Sequence, residues 1–387
     1  MTNKFLLIIA YLFSSLSLFS QTYITNVTIV DVENQQLIPN QTIVITNDLI
    51  SKIQSSKSLK IPNKATLIDG TGKYAVPGLT DAHIHFFQNG GLYTRPDVLD
   101  LRGHQSYEEE IKYAHQNMEN TLYRYLQNGI TNVIDVGATY SLLDRRKEFT
   151  TKHKTPSIQM TGPLLTTYLP APYKDLEEHA PFSLVQTAEE GIKMVQEQLQ
   201  YHPDFIKVWY IVEADGADIE TSARKHLPMI KAIIEEAHKN NLNVAVHATE
   251  RITAQLAVEN GCDFLVHSVD NEILKEDFIQ LLKKNKTILC PTLTVRSGYL
   301  NTLGQKIDIS KHELQKADPY QLGSLLDLKH LQGNPLIDQY KARLNLKEVT
   351  EVLMKVETTK MANLKLLSDA GVLLATGTDA GNIGTLH

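Results

Sequence analysis

The sequence predicts an α/β protein built around a (β/α)8 TIM barrel, with a small β-sandwich domain that is only partly present. Two observations support this prediction. After Val76, short apolar segments alternate with longer helix-forming segments, which is the pattern of a parallel α/β fold. Before Val76, segments rich in β-branched residues are separated by turn residues, which indicates short antiparallel strands. We expect the sandwich part at residues 21–76 and the barrel at residues 77–387, without its C-terminal closing segment.

The first twenty residues have the composition of a secretory signal peptide. Lys4 precedes an uninterrupted run of apolar and hydroxyl residues from Phe5 to Phe19, and Ser20 is a small residue at the expected cleavage point. A membrane anchor is the alternative, but the run is short and contains three serines. We therefore predict a signal peptide at residues 1–20, export to the periplasm or the extracellular space, and no stable membrane insertion after its removal.

Composition excludes some functions and leaves others open. A formal net charge of -6 gives no sign of a nucleic-acid-binding surface, so no nucleic-acid partner is expected. The chain of 387 residues is long enough for one large domain and a smaller one. Cys262 and Cys290 are its two cysteines, and they are expected to be buried free thiols rather than a disulfide.

The segment before the barrel contains several strand candidates. Residues 27–30 and 42–45 are rich in β-branched residues, and Asn47-Asp48 is a plausible hairpin turn before residues 49–53. Residues 66–68 form a further candidate strand. These strands have too little apolar surface for a core of their own, so they need a partner sheet.

Eight strands are expected in the barrel, separated by helices. Ser106 with Glu109, and Thr187 with Glu190, have the spacing of helix N-terminal capping boxes. An open doubly wound sheet is the alternative fold, but no glycine-rich phosphate loop supports it. The expected strands are Leu79–His85, Asn132–Val136, Ser157–Met160, Phe205–Trp209, Val244–His247, Phe264–Val269, Thr287–Cys290 and Val372–Ala375.

A long polar excursion separates the last two expected strands, over residues 296–349. It is predicted to be helical, with Pro319 and Pro335 dividing it into short pieces. On a barrel it would lie at the active-site face as a lid or an interface. A homo-oligomer is one expected form of the protein.

Two histidines lie on the first barrel strand. His83 and His85 are two residues apart, so both side chains project to the same face of the strand. Two neutral imidazoles directed at one point are a partial site for a divalent metal. Two exposed or hydrogen-bonded histidines would have the same spacing, so the other strands must supply further ligands.

Further polar residues occur within or at the ends of later apolar strands. Lys207 lies within the fourth strand, where a charged ammonium group is costly. His247 ends the fifth strand, His267 lies near the end of the sixth, and Asp379 follows the eighth. The carboxyl ends of barrel strands surround one point, so these groups are expected to converge there.

This order of residues resembles the amidohydrolase superfamily, and the chain looks closest to its imidazolonepropionase-like and prolidase-like branch. The resemblance rests on PGLTDAHIH at Pro77–His85, FIKV at Phe205–Val208 and GTDAG at Gly377–Gly381. It implies that His83, His85 and Asp379 hold one metal ion and that His247 and His267 hold a second. It also implies that Lys207, carboxylated by CO2, bridges two divalent ions, most suitably Zn, and that Asp379 is the catalytic proton shuttle. Family members normally continue beyond GTDAG, which implies that this chain is C-terminally truncated.

The chain departs from the family pattern in two places, and both concern the substrate. The segment after His247 lacks the second histidine of the imidazolonepropionase group, and the loop after Met160 is unlike that of typical dipeptidases. Residues that follow strand ends are candidates for the substrate pocket, and an arginine among them could pair with a substrate carboxylate. These candidates are Trp209, Tyr210, Tyr168, Tyr173, Arg251 and Arg296.

The function that the resemblance implies is hydrolysis of a carbon–nitrogen bond in an amide, peptide-like or cyclic amide substrate, with a metal-activated hydroxide. A dipeptidase falls within this prediction. Two alternatives stay open: a lactonase or phosphotriesterase that uses the same hydroxide, and a non-catalytic barrel that binds metal or ligand. The expected partner is a small-molecule amide or peptide substrate.

Overall fold

The computed structural model describes residues 21–150, 154–212, 217–331 and 334–387, so the predicted signal peptide lies outside the described residues. The chain divides into two compact units, and the division falls between Gly78 and Leu79. Among the described residues, no helix is both long enough and apolar enough to cross a membrane.

The first unit is a five-stranded sheet. Strand β2 pairs antiparallel with β1 and β3, whereas β4 and β5 pair parallel with β1, so the expectation of a wholly antiparallel sheet was wrong. Asn47 and Asp48 form the predicted hairpin turn, with φ of 52° and 63°. The strands are β1 (Thr22–Asp31), β2 (Gln36–Thr46), β3 (Leu49–Ser55), β4 (Thr66–Asp69) and β5 (Tyr74–Ala75).

The second unit is a mixed α/β fold in which short strands alternate with helices. Its strands are β6 (Leu79–Ile84), β7 (Ile130–Asp135), β8 (Ser157–Met160), β9 (Leu164–Thr166), β10 (Phe182–Leu184), β11 (Ile206–Trp209), β12 (Val244–His247), β13 (Phe264–Val266) and β14 (Ile288–Cys290). Its helices are α1 (Tyr107–Gln127), α2 (Tyr140–Asp144), α3 (Arg146–Thr150), α4 (Ala188–Leu199), α5 (Ile219–Lys239), α6 (Arg251–Glu259), α7 (Glu276–Asn285), α8 (Val295–Leu303), α9 (Lys311–Lys316), α10 (Pro319–Ser324), α11 (Pro335–Leu344) and α12 (Lys347–Asp369).

The strands of the second unit form two parallel sheets. One has the order β6-β7-β8, and the other has the order β10-β9-β11-β12-β13-β14. The segment after α12 runs between them, because Leu374 bridges Leu289 of β14 and Ala380 bridges Ile84 of β6. Over the described residues the hydrogen bonding thus gives two sheets joined by isolated bridges, rather than one closed ring.

The expected eighth strand, Val372–Ala375, was wrong as a regular strand. Leu289 N donates to Leu373 O at 3.0 Å, and Ala82 N donates to Thr376 O at 2.9 Å. The segment therefore exchanges hydrogen bonds with a strand on each side but changes neighbour within a few residues. It therefore pairs with neither strand over enough residues to form a regular ladder of hydrogen bonds.

Helix starts follow the predicted capping residues. The Ser106 side chain accepts from Glu109 N at the start of α1, and the Thr187 side chain accepts from Glu190 N at the start of α4. Pro319 and Pro335 begin α10 and α11, because the first helical turn does not need the amide hydrogen that proline lacks. The excursion is helical as expected, and its prolines start helices rather than interrupt them.

Two apolar cores pack around the strands of the second unit. The larger core packs β11 to β14 against the helices that connect them and includes Val208, Val246 and Leu265. A second core surrounds β6 to β8 and includes Ile84 and Met160. Cys262 and Cys290 are buried free thiols, as expected.

Candidate metal centre

Three predicted ligands converge at the end of β6. The Nε2 atoms of His83 and His85 lie 3.2 Å apart, and each lies 3.2 Å from Asp379 Oδ1. All three side chains are buried. Two imidazoles face one side of the strand because strand side chains alternate, as the His-x-His spacing predicts.

Backbone hydrogen bonds hold Asp379 against β6. Asp379 N donates to His83 O at 2.7 Å, and His85 N donates to Ala380 O at 2.8 Å. Asp379 has a φ of 61°, which lies in the left-handed region and is unfavourable for a residue with a side chain. The chain therefore turns sharply at Asp379, and the turn delivers its carboxylate to the two histidines.

Gly377 permits this close approach. A Cβ atom at this position would lie 2.4 Å from Cys290 Sγ and 2.9 Å from His83 Cβ. Both distances are too short for carbon, so any larger residue would push the segment away from β6. The first glycine of the GTDAG motif therefore has a packing function.

Two more histidines lie beside this group. His247 ends β12 and His267 follows β13, with their ring centroids 4.4 Å apart. The His267 ring lies 4.9 Å from that of His83. Burial, followed by neighbouring positive groups, lowers the pKa of His83, His247 and His267 well below the ordinary value. These imidazoles are therefore neutral at pH 7, which is the form that binds metal.

Lys207 lies on β11 and is fully enclosed. Only 1% of its surface is exposed, and its Nζ atom has no hydrogen-bond partner among the described residues. Burial lowers the pKa of this amine to about 7. A substantial neutral fraction is therefore present at neutral pH, and a neutral amine is nucleophilic.

The donor set fits a divalent metal ion. The ligand atoms of His83, His85 and Asp379 all lie within 4.8 Å of one another. Imidazole nitrogen and carboxylate oxygen together suit zinc and similar ions. The unpartnered amine of Lys207 is a further observation in favour, because a buried polar atom without a partner is costly unless a ligand satisfies it.

All six predicted ligands line one cavity of about 470 Å³. Trp209 and Arg296, two of the candidate substrate residues, line it as well. Arg296 Nη2 lies 2.8 Å from Asp270 Oδ2, and its Nε lies 3.1 Å from Glu357 Oε1, so acidic neighbours already compensate its charge.

The structure places the other predicted substrate residues elsewhere. Tyr210 is fully buried and donates its hydroxyl hydrogen to Ala223 O, so it cannot reach a substrate. Arg251 begins α6 and pairs with Glu272 at 2.9 Å. Tyr168 is 42% exposed in the loop after β9. Tyr173 is buried and donates to Asp97 at 2.7 Å.

Several residues of the cavity wall were not predicted from the sequence. Arg95 follows a 3-10 turn at Leu92–Thr94, Tyr299 lies on α8, and Lys360 lies on α12. None of them ends an apolar strand, so the strand-end pattern could not identify them. Thr292 lies two residues beyond the end of β14, and Asn382 lies three residues beyond Asp379. These short distances along the chain are the only local signal for the two residues.

Comparison with known proteins gives one family match and several structural ones. The amidohydrolase family pattern matches residues 74–386. No curated protein matches the sequence. A prolidase complexed with N-methylphosphonate-L-proline is similar at 20% identity and a TM-score of 0.65, over 93% of this chain and 78% of that one.

Two further solved structures show the same likeness. A Xaa-Pro dipeptidase with methionine bound in its active site is 19% identical with a TM-score of 0.63, over 95% of this chain and 81% of that one. Ochratoxinase of A. niger is 17% identical with a TM-score of 0.65, over 95% of this chain and 77% of that one. At these identities the likeness concerns the fold, a mixed α/β architecture with parallel sheets.

Proposed function

The chain belongs to the amidohydrolase family, and from this membership we propose that it is a metal-dependent hydrolase that cleaves a carbon–nitrogen bond in an amide, peptide-like or cyclic amide substrate. The match confirms the resemblance drawn from the PGLTDAHIH and GTDAG motifs. One observation carries the proposal: the convergence of His83, His85 and Asp379 in the wall of a cavity large enough for a small substrate.

The proposed ligand assignment uses all six residues. His83, His85 and Asp379 would hold one divalent ion, and His247 and His267 would hold a second, with zinc as the most suitable metal. Lys207, carboxylated by CO2, would supply further oxygen ligands. When bound, such ions supply Lewis acidity and make a water molecule acidic enough to provide hydroxide near neutral pH.

Asp379 has the proposed role of moving the proton. Its Oδ1 faces the two histidines of β6, whereas its Oδ2 lies on the side of His267, 4.0 Å from Nδ1. Oδ2 is thus the oxygen left to accept a proton from the attacking water and to donate it to the departing amine. The carboxylate ends the cycle in its starting state.

The cavity wall supports a compact substrate with an apolar part. The rings of Phe182 and Trp209 lie 4.9 Å apart, and Leu164 lines the same cavity. Apolar side chains there exclude bulk water and contact hydrocarbon groups of a substrate. Since a prolidase and a Xaa-Pro dipeptidase are among the structural neighbours, we propose dipeptides with C-terminal proline and N-acyl prolines as the first substrates to test.

The proposal has three further parts that concern the whole molecule. The two parallel sheets of the second unit would belong to one (β/α)8 barrel, and the first unit would be part of a small β-sandwich. Residues 1–20 would direct export, which fractionation of cells that express the full chain would test. A homo-oligomer is the proposed assembly to examine by light scattering.

A substrate panel tests the function. The full chain, loaded with Zn²⁺ in the presence of bicarbonate, should hydrolyse at least one member of a panel of Xaa-Pro dipeptides, N-acyl amino acids and cyclic amides. Removal of metal by a chelator should abolish the activity, and Zn²⁺ should restore it. Hydrolysis restricted to lactones or phosphotriesters would replace the amide assignment. Inactivity of a fully metallated chain across the whole panel would favour a binding protein.

A further inference from the structure

Asp379 is held by a second polar side chain that the family motifs do not identify. Asn382 Nδ2 donates to Asp379 Oδ1 at 2.7 Å and to the backbone oxygen of the same residue at 3.1 Å. Asn382 is only 3% exposed. One amide group therefore fixes both the carboxylate and the backbone of a residue in the left-handed region.

The orientation of the Asn382 amide follows from its neighbours. Arg95 Nη1 lies 2.5 Å from Asn382 Oδ1, and the Tyr299 hydroxyl lies 2.6 Å from the same oxygen. A guanidinium group can only donate, so Oδ1 must face Arg95 and the NH2 group must face Asp379. If the amide were reversed, its NH2 group would face the Arg95 guanidinium and its oxygen would face the Asp379 carboxylate, and both contacts would be unfavourable.

Arg95 is itself rigidly placed. Its Nε and Nη2 atoms donate to the two carboxylate oxygens of Asp97, at 2.8 Å and 2.6 Å, and Tyr173 donates to Asp97 at 2.7 Å. Its Nη1 atom also donates to the Tyr299 hydroxyl at 3.0 Å. With Nε and Nη1 fully engaged, Arg95 is committed to this network rather than to a substrate carboxylate, even though it lines the cavity.

We propose that Asn382, oriented by Arg95 and Tyr299, is the positioning residue that holds the Asp379 carboxylate in its ligating and proton-transferring orientation. This inference rests on the proposed function. The amide occupies one face of Oδ1, so rotation of the carboxylate would break a hydrogen bond in a buried site. Oδ1 therefore stays beside His83 and His85, and Oδ2 stays on the side of His267.

Binding of Co²⁺ alone provides a readout that is separate from turnover. Asn382→Ala should weaken Co²⁺ affinity by about 10–100-fold and lower kcat with little change in KM, as outer residues that orient metal ligands do. Tyr299→Phe should cause a smaller loss, because Arg95 still donates to Oδ1. In the Asn382→Ala background, Tyr299→Phe should cause no additional loss, because Tyr299 acts through Asn382.

Matched controls separate positioning from general stability. Asn363 is equally buried and donates to Val269 O and Glu272 O, so Asn363→Ala removes a similar set of hydrogen bonds away from Asp379. Tyr93→Phe removes a hydroxyl that donates to Asp327 at 2.9 Å. Both should keep Co²⁺ affinity and kcat within about twofold of wild type.

The outcomes are distinguishable. Equal Co²⁺ affinity of Asn382→Ala and Asn363→Ala, or additive losses in the double variant, would overturn the positioning role while leaving the metal site in place. If Asn382→Ala fails to fold, the comparison of Tyr299→Phe with Tyr93→Phe decides, and equal affinities would overturn the role. Failure of the wild type to bind any Co²⁺ would overturn the proposed function and this inference together.

Discussion

His267 Nδ1 lies 2.6 Å from the hydroxyl oxygen of Thr292. Thr292 is 1% exposed and follows β14, so this contact joins the ends of two neighbouring strands. It engages one ring nitrogen and leaves Nε2 available to a ligand. A partner on the second nitrogen fixes the tautomer and the orientation of a metal-binding imidazole.

Thr292→Val should therefore weaken metal binding. The substitution keeps the shape of the side chain but removes the hydroxyl, and we expect metal affinity to fall by about tenfold. Titration with Co²⁺ measures the effect. Thr287→Val is the matched control, since Thr287 is also 1% exposed but bonds Cys262 O at 3.2 Å, and it should keep wild-type affinity. Equal losses in the two variants would contradict the role of Thr292.

Lys207→Met tests the lysine as a ligand. Methionine matches the length of the side chain and suits the apolar site, so the metal-free protein should unfold at a temperature no lower than that of wild type. Under the proposed ligand assignment, metal content should fall from about two ions per chain to about one, because the carboxylated lysine would be lost. Elemental analysis after dialysis measures this. An unchanged metal content in a folded variant would remove Lys207 from the ligand set.

Much of the strand pattern could be predicted because apolar strands carry a clear local signal. Ser157–Met160 and Val244–His247 have the predicted bounds. The sixth strand was expected to continue to Val269, but it ends at Val266 because His267 has a φ of 76°, outside the extended region. Strands β9 and β10 were missed, because they follow β8 without an α-helix between them and so break the strand–helix alternation that located the other strands.

Some residues of the candidate site could likewise be predicted from the sequence, and others could not. The six predicted ligands lie on or just after apolar segments, so their positions in the sequence carried a signal. Tyr299 and Asn382 are 204 and 287 residues from Arg95, and no local pattern relates them. Only the packed structure brings these three side chains together. Tyr210 shows the opposite case, since it follows a strand end but points into the core, where its hydroxyl binds Ala223 O.

Asp379→Asn tests the proton transfer. An amide cannot accept the proton of the attacking water, so kcat should fall by about 10²–10⁴-fold on the best substrate of the panel. Asp327→Asn is a suitable control, because Asp327 accepts from Tyr93 outside the group of six ligands, and it should keep wild-type kcat. Wild-type turnover in Asp379→Asn would rule out the shuttle, whatever the metal content.

His115 should make the protein less stable in acid. Burial, followed by the nearby Arg145, lowers the pKa of His115 from 6.5 to about 4. As the pH falls through this range, the unfolded chain takes up the proton before the folded one, so the free energy of unfolding decreases. The groups that face the ring are Arg145, with Nη1 at 3.0 Å from Nδ1, His179 with a ring centroid at 5.5 Å, and Glu148.

His115→Gln should reduce this loss. Glutamine can still accept from Arg145 but does not titrate, so its free energy of unfolding should decrease less than that of wild type between pH 7 and pH 5. Denaturant unfolding at the two pH values measures the difference. Arg145→Gln should also reduce the loss, because it removes a positive charge beside the imidazole. If both variants lose as much stability as wild type over this interval, another group accounts for the acid sensitivity.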